Sequence, residues 1–309
     1  MAAPQAEVLV AGPASWNLLV QLDELPAPTP HTVFARSHRH TVGGTSAGKA
    51  LNLARLGRSV LLRTVLGADD DGARVRSVLE GAGVRVLAEP SPDGRTESHL
   101  NLMDDDGGRV SVYLRAPGEV PAQGEAWDAT VAALDAARAV VVDLAVPALP
   151  VLDLAVARGR DVWVDLHDYD GESAFHRPWV DAGTHVFLSG DRLDDWRGFM
   201  TARVAAGAHL VVCTHGSRGA VALTPEGGFV EVPAQPVPHV VDTNGAGDGF
   251  FAGFLDAHLR GAGVEEAMRA GARHAALVVQ SPDLLCPSPR PRGSGASRVP
   301  AWAGEVTGG

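Results

Sequence analysis

From residue 7 to about residue 280, short apolar runs alternate with segments of helical periodicity, and this alternation restricts the fold more than any other feature. The runs EVLVAG (7–12), SVLLRTVLG (59–67), ARAVVVDLA (137–145), RDVWVDL (160–166), THVFLSG (184–190) and HLVVCTHG (209–216) have strand length. Between them, apolar spacing predicts helices over 46–57, 70–82, 124–137, 147–158, 195–207, 247–260 and 264–280. Strands that are apolar throughout need cover on both faces, and their separation by helices makes neighbours parallel. Ligands of such sheets meet the chain at the carboxyl ends of the strands.

Two stretches depart from this rhythm. PHTVFARSHRHTV (30–42) and RTESHLNLMDDDGGRVSVYLRA (95–116) alternate apolar and polar residues, and the second turns through DDDGG. They are expected to form antiparallel strands with one wet face, a small sheet able to close over a substrate. The end of the chain, 286–309, is dense in Pro, Gly and Ser and has no periodicity, which predicts a mobile tail.

The balance of 26 basic against 37 acidic residues, a formal charge of -11, opposes attraction to nucleic-acid phosphates or anionic membranes. A small molecule is the expected partner. Neither a signal peptide nor a membrane span is recognisable, so a cytoplasmic location is expected. Cys213 and Cys286 lack metal-binding or redox spacing, and Cys213 ends an apolar run as a core thiol would.

GGTSAGKA (43–50) matches the GxxxxGK of a nucleotide-binding loop through Gly43, Gly48 and Lys49. Ala50 stands where that loop requires Ser or Thr for magnesium, and the preceding RSHRHTV is no buried strand. Two readings remain open, a structural turn and a substrate-contacting loop whose paired glycines expose backbone N–H groups at a helix start.

VVDTNGAGDGFFAGFLDAHL (240–259) carries the chemistry. Phe250, Phe251, Phe254, Leu255 and Leu259 share one helix face, so a helix starts near Ala246 or Gly247. Gly245, Ala246 and Gly247 leave the first N–H groups reachable, and the positive end of the helix dipole favours an anion there. Asp248, in the first turn beside that anion, is set to take a proton from a hydroxyl attacking a phosphoryl group. An Asp that only complements the helix dipole is the alternative.

DTNGAGDGFFAGF (242–254) resembles the second signature of the ribokinase-like, or PfkB, carbohydrate kinases. GGTSAGKALNLARLG then falls at the first signature, GADDDG (67–72) at an acidic turn, and THGSRGAV (214–221) at the ATP-contacting strand and loop. The resemblance implies a Rossmann-like three-layer α/β sandwich with a mainly parallel central sheet and a small β-sheet lid, occupying residues 1–285. It implies ATP and Mg2+ as cofactors, Asp248 as catalytic base, and Gly245, Ala246 and Gly247 as an anion hole. Thr214, Gly216, Ser217 and Gly219 would lie along ATP, and Asp242 and Thr243 near a monovalent cation such as K+. Dimers paired through the lid are a further expectation, since exposed strand edges can extend a sheet.

Departures from the family pattern concentrate on the acceptor side. Asn17 replaces a sugar-binding Asp, Gly48 a sugar-binding Asn, and Thr45 the Lys of ribose kinases, which argues against ribose itself. Lys49 is either a replacement donor or a solvated helix residue. The NxxE motif that helps hold magnesium is altered, leaving Asp191 as a substitute. Asp165, His167, Asp168 and Asp170 are either a metal cluster or polar cleft lining, and His38 and His40 either touch substrate or face water. The expected acceptor, a sugar, sugar acid or related molecule, lies between Asn17, Gly43, Gly44, Gly48, Lys49 and Asp248. A nucleoside is the runner-up acceptor, and a catalytically reduced metabolite sensor is the reading from another class.

Overall fold

The structure, a computed structural model, describes residues 6–104, 108–281 and 284 of the 309. The tail at 286–309, Cys286 and part of the DDDGG turn lie outside the described residues. The first half contains β1 (Val8–Ala11), β2 (Ser15–Gln21), β3 (Ser37–Gly43), α1 (Thr45–Arg55), β4 (Val60–Leu66), α2 (Asp70–Gly81), β5 (Arg85–Pro90), β6 (Ser98–Met103), β7 (Arg109–Arg115) and α3 (Glu125–Ala136). There follow β8 (Ala139–Val142), α4 (Leu149–Ala157), β9 (Val162–Asp165), α5 (Arg177–Ala182), β10 (His185–Ser189), α6 (Trp196–Ala205) and β11 (Leu210–Thr214). The described chain closes with β12 (Ala220–Thr224), β13 (Gly228–Val232), α7 (Ala246–Leu259) and α8 (Val264–Val278).

Nine strands form the central sheet in the order β13-β12-β11-β10-β9-β8-β1-β4-β5. It is parallel from β11 to β5, and a β12–β13 hairpin continues it antiparallel at one edge. The sheet separates two cores. One gathers Leu51, Leu53, Phe251, Phe254 and Met268 of α1, α7 and α8; the other gathers Leu134, Leu152, Trp179 and Met200 from the helices opposite. Cys213 is buried in this second core, as a core thiol should be. The apolar runs thus form the middle of three layers.

The predicted helices are found within a few residues of their expected bounds, but the lid differs from the expectation. Its four strands run in the order β3-β2-β6-β7, and residues 31–36 are not strand. Ser15–Gln21, which was not among the expected strands, is a lid strand that carries Asn17 and whose burial alternates along SWNLLVQ. The segment from 95 to 116 supplies two strands, β6 and β7, paired antiparallel. Edge strands β5 and β13 and the short helix α5 also lacked a strong period, because each buries too few residues to impose one.

Gly249 and Gly253 of GDGFFAGF serve packing. A Cβ on Gly249 would stand 2.7 Å from Val278 Cγ2, and one on Gly253 2.7 Å from His274 Cβ, both on α8. Bare backbone lets α8 press on α7 while Phe251 and Phe254 fill the sheet side against Trp163 and Phe187. Phe254→Ala, which empties a fully buried site in that cluster, is expected to cost about 3 to 5 kcal/mol in a denaturant titration.

Candidate active site

A cavity of about 540 Å³ opens where the lid hangs over the carboxyl ends of the parallel strands. The lid contributes Asn17 from β2, Glu97, His99 and Asn101 from the β6 side, and Arg109, Ser111 and Tyr113 from alternate positions of β7. The sheet contributes Asp165, His167, Asp168, Ser189, Asp191 and Thr214 beyond the ends of β9, β10 and β11. Gly247 and Asp248, in the first turn of α7, line the same space.

Asp248 is buried at the floor. Lys49 Nζ donates to its Oδ1 at 2.7 Å and lies 3.1 Å from Asp143 Oδ1 and 3.2 Å from Asp165 Oδ2. The Phe251 ring centroid is 5.2 Å from the same nitrogen. Lys49 is 0% exposed and does not line the cavity, so neither the solvated nor the direct-donor expectation matches its position. Burial alone would discharge Lys49, but Asp143, Asp248 and Asp165 raise its proton affinity above the ordinary lysine value. Burial pushes Asp248 up to about 6, against the pull of Lys49 and His167 and with that of Asp143. Burial also works against Asp165, yet the His167 and Lys49 charges and the His167 N–H hold it down at about 2. Of these two carboxyls, Asp248 is therefore the one suited to accept a proton near neutrality.

Asp143, at the end of AVVVD, was missed as a site residue. Its Oδ2 accepts from Ser46 Oγ at 2.6 Å and from Thr45 Oγ1 at 3.5 Å. The signal was available, for VVVD and VWVD both end apolar strands in a carboxylate at the edge where ligands meet such sheets. The polar lid residues at 97, 99, 101, 109 and 111 were missed as well, although their alternation placed them on one face.

The other predicted residues divide. Asn17 is buried, accepts the His99 N–H at 3.1 Å, and sits so close to Gly43 that a Cβ there would be 1.9 Å from Asn17 Nδ2. Gly44, with φ of 91°, caps α1, where a Cβ would strike the Pro13 carbonyl at 2.4 Å. Gly245, at φ of 79°, and Ala246 do not line the cavity, and the Ala246 N–H already donates to Thr243 O at 3.2 Å. Asp242 Oδ1 accepts the Asn244 N–H at 2.8 Å, and its Oδ2 lies 3.7 Å from Arg39 of the lid. Thr214 reaches the cavity, whereas Gly216, Ser217 and Gly219 lie in the turn beyond it. Asp191 accepts from Ser189 Oγ at 2.8 Å at the rim. Asp165, His167 and Asp168 line the cleft, and among the described residues no three His, Cys, Asp or Glu side chains there lie close enough together to share a metal ion. His38 and His40 stay away from it, His40 stacking on Trp16.

A three-layer α/β sheet with a β lid, closing on a buried carboxylate at a helix N-terminus, is the architecture of a small-molecule kinase. The chain belongs to the pfkB family of carbohydrate kinases, whose sequence pattern matches residues 7–158 and 193–290. It is 33% identical over 273 residues to the acarbose 7(IV)-phosphotransferase of an Actinoplanes species, covering 86% of this chain and 89% of that one. It is 26% identical to a nucleoside kinase of Methanothermobacter thermautotrophicus, covering 89% of each. A solved microbiome-derived acarbose kinase superposes with a TM-score of 0.79 at 31% identity, over 90% of this chain and 93% of that one. Arabidopsis thaliana ribokinase, complexed with ribose and ATP, shares the fold with a TM-score of 0.74 at 22% identity, over 91% and 95%. The protein is thus an ATP-dependent phosphotransferase of the sugar and nucleoside kinase type.

Gly48 has a definite part in this geometry, since a Cβ there would stand 2.5 Å from Asp248 Oδ2. The same Cβ would stand 3.0 and 3.2 Å from Asp248 Cγ and Cβ, so Gly48→Ala should push the buried, ion-paired carboxylate aside and lower the melting temperature. Its turnover is expected to fall about a hundredfold, the order of loss for a reacting group misplaced by ~1 Å.

Proposed function

We propose that the protein transfers the γ-phosphoryl group of ATP to a primary hydroxyl of a carbohydrate held under the lid, with Asp248 as the base. The observation that carries this reading is Asp248 itself, buried on the cavity floor beside the first free turn of α7, with its carboxyl pushed up to about 6. The acceptor hydroxyl attacks in line, Asp248 takes its proton, and the N–H groups at the start of α7, Gly247 foremost, face the charge that develops. Gly245 and Ala246 act through the turn that aims those groups. Thr214, with Gly216, Ser217 and Gly219 behind it, would flank the nucleotide.

Magnesium carried by the triphosphate supplies charge neutralisation during transfer. Asp191, an oxygen donor at the cavity rim, fits a hard cation of this kind and would hold it. Asp242 and Thr243 are proposed to organise a monovalent cation, K+ being the one to test. The lid's outer face exposes Val110, Val112 and Leu114 at 43%, 42% and 59%, which supports a homodimer through the lid. No helix among the described residues is long and apolar enough to cross a membrane, and the reading includes a cytoplasmic enzyme with no nucleic-acid partner.

For the acceptor, the lid offers an acid, two amides, a hydroxyl and a guanidinium from Asn17, Glu97, Asn101, Arg109 and Ser111, the mixture that suits a polyhydroxylated molecule. Two relatives that cover most of the chain, at 33% and 31% identity, are both described as acting on acarbose, and they favour an oligosaccharide-like acceptor over ribose. A nucleoside is the second reading, favoured by the 66% exposed Tyr113 ring on the cavity wall.

Asp248→Asn is expected to lower turnover at least about a hundredfold while ATP still binds. Unchanged turnover would remove Asp248 as base, and binding without turnover in the unaltered protein would favour the sensor. Because a base works ionised, the rate should rise with pH through about 6 and level off above it. ADP release over a panel of oligosaccharides, monosaccharides, sugar acids and nucleosides, with and without K+, identifies the acceptor class. Turnover of nucleosides alone overturns the carbohydrate assignment.

A further inference from the structure

A lysine that is 0% exposed needs an explanation, because an apolar side chain would fill the same volume without the desolvation of an ammonium. Lys49 projects from α1 to the point where the ends of β8 and β9 meet the first turn of α7. Its nitrogen is within 3.2 Å of a carboxylate oxygen from each of Asp248, Asp143 and Asp165. The contact to Asp248 is to Oδ1 alone. The other oxygen, Oδ2, lies against the bare Cα of Gly48, the residue before the lysine, where any Cβ would collide with it at 2.5 Å. Two consecutive residues of α1 therefore act on the two oxygens of one carboxylate: Lys49 holds Oδ1, and Gly48 leaves space at Oδ2.

We propose that Lys49 is a positioning residue for phosphoryl transfer, fixing the orientation of Asp248 and keeping it ionised so that Oδ2 is free to take the acceptor's proton. This rests on the reading of Asp248 as the base. The charged and titratable groups around that carboxylate are Lys49 from α1, Asp143 beyond β8, Asp165 at the end of β9 and His167 in the loop that follows. Lys49 and His167 favour its charged form, whereas Asp143 and burial oppose it. Asp143 also draws Lys49 through its Oδ1. The cluster is thus a balance in which one neighbour of each sign can be removed separately.

The test is the pH dependence of kcat/KM for the acceptor at saturating Mg-ATP, comparing the unaltered enzyme with Lys49→Met and Asp143→Asn. Measuring each variant against the unaltered enzyme cancels the titration of the nucleotide. Removing the cation should move the acid limb upward by about one to three pH units, the usual effect of an opposite charge at this range. Removing the like charge should move it downward. Because the groups titrate as a unit, the limb reports the macroscopic step of the cluster, and the sign of its movement is the readout. Opposite movements support the proposal. Limbs that stay in place, or that move the same way in both variants, overturn it, since loss of packing alone has no charge sign. Should Lys49→Met fail to fold, Lys49→Gln, which keeps a polar side chain of similar length, replaces it: an upward shift of the limb supports, and no shift or a downward one overturns. Asp248→Asn separates the two levels, because high residual turnover there removes the base itself, whereas an inactive Asp248→Asn with unmoved limbs removes only the role of Lys49.

Discussion

The ion cluster around Lys49 is the constraint through which the rest of the site is arranged. One ammonium is shared by a carboxylate from α7 and by two at the ends of neighbouring parallel strands, so helix, sheet and α1 meet at one atom. Without the lysine, three buried carboxyls would repel one another; without the carboxyls, the ammonium would be buried unpaired. Neither half is tolerable alone in a dry interior. The register of α1 against α7 is consequently fixed by charge as well as by the apolar packing of Leu51, Leu53, Phe251 and Phe254.

The lid adds a second set of dependencies at the opposite wall. Alternation along β7 sends Arg109, Ser111 and Tyr113 into the cavity and Val110, Val112 and Leu114 outward. Arg109 Nη1 donates to Asn244 Oδ1 at 2.9 Å, and Arg39 approaches Asp242, so two lid strands touch the loop that leads into α7. The lid and the turn that opens α7 are thereby linked through residues 242–244. Beneath this lid lies the floor of the cavity, where burial is the largest influence on the ionisation of Asp248.

Much of this was legible in the sequence, for physical reasons that differ by element. The start of α7 was placed at Ala246 or Gly247 because small residues precede a strong apolar period, and the helix begins at Ala246. The parallel core strands were legible because complete burial imposes complete apolarity. β2 was not, since SWNLLVQ follows β1 after only three residues and its alternation is short and mixed in polarity. Lys49 illustrates the limit most clearly. Helical periodicity assigns a lysine to solvent, and nothing local reveals that its partner comes from 199 residues away. What is visible is the mismatch with the family pattern at Thr45, Gly48 and Lys49, which in the sequence points to acceptor choice.

That mismatch has a simpler physical form in three dimensions. A residue with a side chain at position 48 would contest the space of Asp248 Oδ2, and a neutral residue at 49 would leave the buried carboxylates uncompensated. The substitutions at the two positions are therefore coupled through one carboxylate. The lid adds its own polar lining to the cavity at Asn17, Glu97, Asn101, Arg109 and Ser111. Position 48 thus governs the room left to the Asp248 carboxylate and position 49 its charge balance, and a single turn of α1 sets both.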